Sequence, residues 1–383
     1  MHLFLVTSLD GLSRNNAAFA LAEGSSKTPV VLHDLLDDGV VVRRIHVGDR
    51  LVERESMVLE HGCLSCTVRF DLAPTLLRLS EQGVRTAVVG LPPGTTAENA
   101  IDGLQTIAPR EFVIDTVSLA VRPDDVEDQL WDHHTLFESG YTAVPEDGRT
   151  PGEFLIGEFL FADTVLATTS NLLPPDPDIL VRGIQLIGEL APHASLIPAF
   201  TTVSLSDLGT HDDAAARSRS LPGRVLTPRP LPESMPTRSV AASTTQSPAP
   251  FRTLEHRIDR PLHPDRFRTA LGAISQGCCF VRGSVWIAGV TDTRIAVHGV
   301  GPRIALANGG EWSNDADRIN DAEWCRGTHL ALTGDDIDDA DIVNLLNACA
   351  LTDEELQTIP GHEAPTTTRA HSVTCADAAS DHP

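Results

Sequence analysis

Basic residues are scarce in this chain: 29 Lys and Arg stand against 53 Asp and Glu, a formal charge of −24 over 383 residues. That balance excludes the broad phosphate-binding surface that DNA or RNA demands, and it makes a basic protein or a cation the better-matched partner. Long apolar runs are also missing. The first residues, Met1-His2-Leu3-Phe4-Leu5-Val6, include no basic leader region, and no later run reaches the roughly 20 residues of a membrane-spanning helix. The chain therefore reads as cytoplasmic. Cysteines number seven, an odd count in a long chain, which is not the framework of a disulfide-stapled secreted domain. Reduced thiols are the expectation.

What is present is enough for two cores. The length suits two domains, and a hydrophobic fraction of 41% is that of a globular protein. Leu3 to Thr7 is a short apolar run followed by the polar turn Ser8-Leu9-Asp10-Gly11 and the helix-compatible Ala17 to Ala22. Near-continuous apolar runs at Pro29 to Leu32, Gly39 to Ile45 and Arg85 to Gly90 read as buried strands, and Glu111 to Asp115 starts another. Glu153 to Asn171 reads as a helix feeding a strand. Strands alternating with helices predict a mostly parallel α/β sheet over residues 1–205. Residues 206–250, rich in Ser, Thr and Pro after an Asp-Ala stretch, read as a flexible linker. Residues 251–357 read as a small α+β domain with helices on one face of a sheet, and residues 358–383 as a disordered tail.

The chemistry centres on Glu60-His61-Gly62-Cys63-Leu64-Ser65-Cys66-Thr67. Two thiols separated by two residues can close on one tetrahedral ion, and Gly62 permits a tight backbone entry. Leu72, Leu76, Leu77 and Leu79 fall at helical spacing, and Pro74 is harmless only in a first turn. The helix is therefore expected to start near Phe70 or Asp71, with Cys66 just ahead of a terminus that favours thiolate. Zinc is the leading ligand, with a thioredoxin-like dithiol or two merely buried thiols as alternatives. With only one CxxC, further ligands must come from elsewhere: Glu60, His61, His33 at a strand end, or His133 beside Asp132 and His134. Cys278 and Cys279 read as core residues, and Trp286, Trp312 and Trp324 as core or interface anchors.

Gly62-Cys63-Leu64-Ser65-Cys66-Thr67, the Ala162-Asp163 strand entry, Pro261-Leu262-His263-Pro264-Asp265-Arg266-Phe267, Gly334-Asp335-Asp336 and Leu351-Thr352-Asp353-Glu354-Glu355-Leu356 together resemble the CobW family of zinc-associated P-loop GTPases. The resemblance covers nearly the whole chain. It implies a P-loop-type domain followed by a CobW C-terminal domain, and Cys63 and Cys66 as metal ligands. The form His61-Gly62-Cys63-x-Ser65-Cys66-Thr67 is most similar to an actinobacterial branch, the ribosome hibernation factor-recruiting GTPases. That branch implies a hibernation factor and the small ribosomal subunit as partners in zinc-limited cells.

The nucleotide motifs depart from the family. Its Gly-x-x-x-x-Gly-Lys-Thr loop falls on Ser8-Leu9-Asp10-Gly11-Leu12-Ser13-Arg14-Asn15, so Ser8 and Ser13 replace both glycines, Arg14 the lysine, and Asn15 the magnesium-binding hydroxyl. Its guanine-reading Asn-Lys-x-Asp falls on Thr168-Thr169-Ser170-Asn171, without the carboxylate. These changes argue against GTP and magnesium. The expectation is a zinc-responsive adaptor without catalysis, with a GTP-binding zinc metallochaperone and a CxxC oxidoreductase as the alternatives.

Overall fold

A computed structural model describes residues 1–24, 27–60, 62–170, 174–199, 203–226, 250–290, 292–312 and 326–358. The chain divides into two compact units: residues 1–220 with 228–250, and residues 221–227 with 251–383.

The first unit opens with β1 (His2–Thr7), whose residues after His2 are all buried, and α1 (Gly11–Ala22). There follow β2 (Pro29–Leu35), β3 (Val40–Val47), β4 (Arg50–Val58), α2 (Leu64–Thr67), α3 (Ala73–Glu81), β5 (Thr86–Gly90), α4 (Ala97–Ile107), β6 (Val113–Val121) and α5 (Pro123–Trp131). The unit closes with α6 (Pro151–Phe161), β7 (Thr164–Ala167), α7 (Pro177–Leu190), β8 (Ser195–Pro198) and α8 (Asp213–Ser220). Eight strands form one sheet in the order β4-β3-β2-β5-β1-β6-β7-β8. Every pair from β2 through β8 is parallel; β3 and β4 extend the edge as an antiparallel hairpin. The sheet is thus the expected mostly parallel α/β structure with an antiparallel edge. Ala17, Ala18 and Leu21 of α1 pack on Phe4, Val6, Leu32 and Val88, the small alanines letting the helix lie close to the strands.

Two features correct the sequence reading. The helix after the cysteines starts at Leu64, not near Phe70, and passes through a π turn at Val68–Leu72 before α3. The wide turn accommodates Pro74, whose ring would clash with the carbonyl four residues back in a regular helix. The stretch expected to be a linker begins with α8, which is docked to its own unit. Ala216 is fully buried, Arg217 pairs with Glu98 and Asp102, and Arg219 donates to the carbonyls of Leu160 and Phe161. Residues 227–249 and 359–383 lie outside the described residues.

The second unit contains β9 (Arg252–Ile258), α9 (Pro264–Ile274), β10 (Cys278–Val285), β11 (Thr293–Val300), β12 (Arg303–Glu311), β13 (Thr328–Gly334), α10 (Asp339–Cys349) and α11 (Asp353–Thr358). Its antiparallel sheet runs β12-β11-β10-β13-β9. Val281, Val285, Val297, Leu330 and Leu332 alternate onto one face and form a core with Phe267, Ile274, Ile342 and Leu346 of the helices. Cys278, Cys279, Cys349, Trp286 and Trp312 are buried, while Trp324 lies outside the described residues. None of the described helices is long and apolar enough to cross a membrane.

Candidate metal centre and the altered nucleotide loop

β1 ends at Thr7, and α1 begins four residues later, capped by Asp10, whose carboxylate accepts from the Ser13 amide at 2.7 Å. A helix N-terminus is a ready anion site. Here a side chain of the protein itself supplies the anion. Ser8 Oγ donates to the Ala120 carbonyl at 2.8 Å and accepts from the Asp10 amide at 3.2 Å, so the turn is closed by internal bonds.

Arg14, at the position of the family's lysine, is fully buried. A guanidinium carries five N–H donors. Nη1 donates to the carbonyls of His33 (2.5 Å) and Leu91 (3.1 Å), Nη2 to Asp34 Oδ1 (2.7 Å) and Asn15 Oδ1 (2.8 Å), and Nε to Asn15 Oδ1 (3.1 Å). All five are engaged inside the protein. Burial lowers Arg14 from its ordinary value while Asp34 opposes the change. Burial alone would raise Asp34, but Arg14 and Arg44, the latter donating at 2.5 Å, hold it below the usual carboxylate range. Gly90 makes the room, since a Cβ there would lie 3.0 Å from Arg14 Cδ and 2.6 Å from Leu32 Cδ2.

The surroundings are equally unsuited to a triphosphate. Arg122, just past β6, bonds Asp124 at 2.6 Å and lies 3.1 Å from Asp125, whose carboxyl is raised by burial and further by Asp124 and Asp10. The Thr168 hydroxyl is spent on the Val121 carbonyl at 3.0 Å; Thr169 is half-buried, and Asn171 lies outside the described residues. A magnesium nucleotide does not fit this set of residues.

At the thiol motif, Cys63 is the N-cap of α2 and its Sγ accepts from the Cys66 amide at 3.1 Å. Cys66 therefore sits inside the first turn rather than ahead of it. Its thiol is not lowered as the sequence suggests: burial and the neighbouring Cys63 sulfur push it up to about 11. Both cysteines are half-buried free thiols. Gly62 is needed for close approach rather than for an unusual φ, because a Cβ on it would come within 2.6 Å of Gly39 Cα.

Two soft donors one helical turn apart suit zinc. Among the described residues, no third His, Cys, Asp or Glu atom joins the two sulfurs in a compact ligand group. Glu60 is exposed beside them and His61 lies outside the described residues. His33 is fully buried with Nε2 2.7 Å from Asp71 Oδ1, and Arg43 clamps the same carboxylate at 2.7 and 2.8 Å. Burial lowers the His33 pKa while Asp71 opposes the change, and the ring is part of a structural network. His133 groups with Asp132 and His134 instead of with the cysteines.

Sequence reasoning missed Glu158 of α6. It is buried among the elements that carry the loop, and both carboxylate oxygens face the Ala97 amide at the start of α4, at 3.2 and 3.3 Å. Burial pushes its pKa up to about 7. Its place in an otherwise apolar helix, Phe154 to Phe161, was the available signal.

Residues 251–350 match the cobalamin synthesis protein cobW C-terminal domain. The second unit is therefore a CobW C-terminal domain. The individual relatives are mycobacterial: a protein named zinc chaperone Rv0106 of Mycobacterium tuberculosis is 28% identical over 356 residues, covering 86% of this chain and 83% of the relative. An uncharacterized protein of Mycobacterium bovis matches to the same extent. Among solved structures, the Zn(II)-bound YjiA GTPase from E. coli aligns with 92% of this chain and 99% of its own at 11% identity and a TM-score of 0.36.

Proposed function

We propose that this chain is a zinc-responsive CobW-family adaptor that works without hydrolysing a nucleotide, recruiting a ribosome hibernation factor to the small ribosomal subunit when zinc is limiting. The observation that carries the non-catalytic part is Arg14, whose five donors are all bonded within the fold, beside a helix terminus already capped by Asp10. Zinc is supported by the half-buried Cys63 and Cys66, and by a relative named as a zinc chaperone. The ribosomal partner is an expectation from the resemblance of residues 61–67, and the charge of −24 suits a basic protein partner.

The response would be a population shift. Zinc on Cys63 and Cys66 favours one arrangement of residues 64–81, and its loss favours the other. The π turn at Val68–Leu72 interrupts that stretch between the thiol turn and α3, and such single-turn π bulges are frequent at functional sites. The test is co-sedimentation of the full chain with ribosomal particles from zinc-replete and chelator-treated cells. Association with the small subunit only under depletion supports the adaptor; absence under both conditions removes it.

A second reading is favoured by the relative's name: a GTP-binding zinc metallochaperone. It requires Arg14 to release its partners, and it predicts tight magnesium-dependent GTP binding by the purified chain.

A further inference from the structure

The loop after α5 holds a cluster that neither the nucleotide loop nor the thiol motif uses. Asp132, His133 and His134 each offer one ligand atom, and the three atoms lie within 4.8 Å of one another. We propose that these residues form a second divalent-metal site, of imidazole and carboxylate character, separate from Cys63 and Cys66.

The cluster is held in place by its own loop. Asp132 Oδ1 accepts from the His134 amide at 2.9 Å and lies 2.8 Å from His134 Nδ1, while Oδ2 accepts from Ser139 Oγ at 2.6 Å. The two imidazoles lie with centroids 4.0 Å apart and planes 34° apart, so both face one side despite being adjacent in sequence. Behind them Leu136 is fully buried, its amide donates to the Arg149 carbonyl at 2.7 Å, and Arg149 Nη2 donates to the Gly94 carbonyl at 2.8 Å. A rigid base keeps the ordering cost of assembling three ligands small. Exposure of the rings leaves the site open to an aqueous ion and to a water completing its coordination.

The donor set selects the ion. Two imidazoles with one carboxylate suit zinc, cobalt, nickel or copper in their divalent states, whereas magnesium and calcium prefer oxygen throughout. The site also has a neighbour. A Cβ at Gly94 would lie 3.6 Å from Leu136 Cδ1 and 3.8 Å from Leu64 Cδ1, so this loop and the thiol helix pack against one glycine.

The test uses cobalt(II), whose spectrum separates the two sites, on the full chain bearing Cys63→Ser and Cys66→Ser. The expected result is that this variant still binds one cobalt, with weak visible bands and without sulfur-to-metal charge transfer. Adding His133→Ala and His134→Ala then weakens that binding at least about tenfold, and His134→Ala alone gives an intermediate loss. A large excess of magnesium does not displace the bound cobalt or reduce its bands, and displacement by magnesium would overturn the imidazole character of the site. Retention of the ion after both histidines are removed, as a site among the tail histidines would produce, overturns the proposal. Failure of the thiol-free variant to bind cobalt at all overturns it equally.

Discussion

Arg14 Nη2 lies 2.7 Å from Asp34 Oδ1, a bond that ties the start of α1 to the end of β2. The arginine is fully buried and the carboxylate partly so, its side chain 24% exposed. Arg14→Ala is expected to cost about 3 kcal/mol of stability, because Asp34 and the carbonyls of His33 and Leu91 lose a donor together. Urea denaturation measures this. In the unaltered chain, millimolar GTP with magnesium should leave the melting temperature where it was; a rise of several degrees would show that the arginine yields.

Gly90→Ala tests the same packing from the other side. Its methyl would press on Leu32 and on the Arg14 stem, both fully buried, so neither can swing into solvent. We expect a loss of about 1–3 kcal/mol in the same denaturation experiment, as overpacked cores show. A neutral result would mean that Arg14 is mobile.

Glu158 gives a pH dependence of definite sign. Its folded pKa, about 7, stands above the ordinary 4.5, so the folded state binds more protons in that interval. The stability it confers is fully present below 4.5 and is lost as the pH rises through 7. The displacement corresponds to roughly 3 kcal/mol. Glu158→Gln should therefore be more stable than the parent chain at pH 8 and little different at pH 4.5. Chemical denaturation at the two pH values decides it, and a pH-independent difference would refute the assignment.

Zinc at the thiol pair should compete with protons. Cys66, pushed up to about 11, must lose its proton to ligate, so apparent zinc affinity should rise at least about tenfold per pH unit between pH 6.5 and 8.5. Competition with a chromophoric chelator measures this. Cys63→Ser with Cys66→Ser should abolish that component, and a flat profile would place the ion elsewhere.

The layers of the fold were legible where apolar runs are unambiguous: β1, β2 and β5 lie where their residues predict. β4 was not, because Arg50 to Val58 lies at the sheet edge and is exposed along nearly its whole length, leaving no apolar face in the sequence. β12 escaped for the same reason. α8 was hidden by composition, since its docking rests on arginine bonds more than on apolar area. The loss of the nucleotide motifs could be read residue by residue. The burial of Arg14 could not, as its acceptors come from positions 15, 33, 34 and 91, which only the fold brings together. Cys63 and Cys66 were found by spacing, whereas the grouping of His133 with Asp132 and His134 required the shape of the loop.

The buried guanidinium also bears on time. A GTPase carries a clock, because hydrolysis turns one shape into another at a rate the protein sets. If Arg14 stays locked into carbonyls and a carboxylate, as the adaptor reading requires, the fold would carry no such timer, and its proposed state changes would follow the supply of metal. The duration of its response would then be written by the cell's zinc level, and recovery would begin when zinc returns.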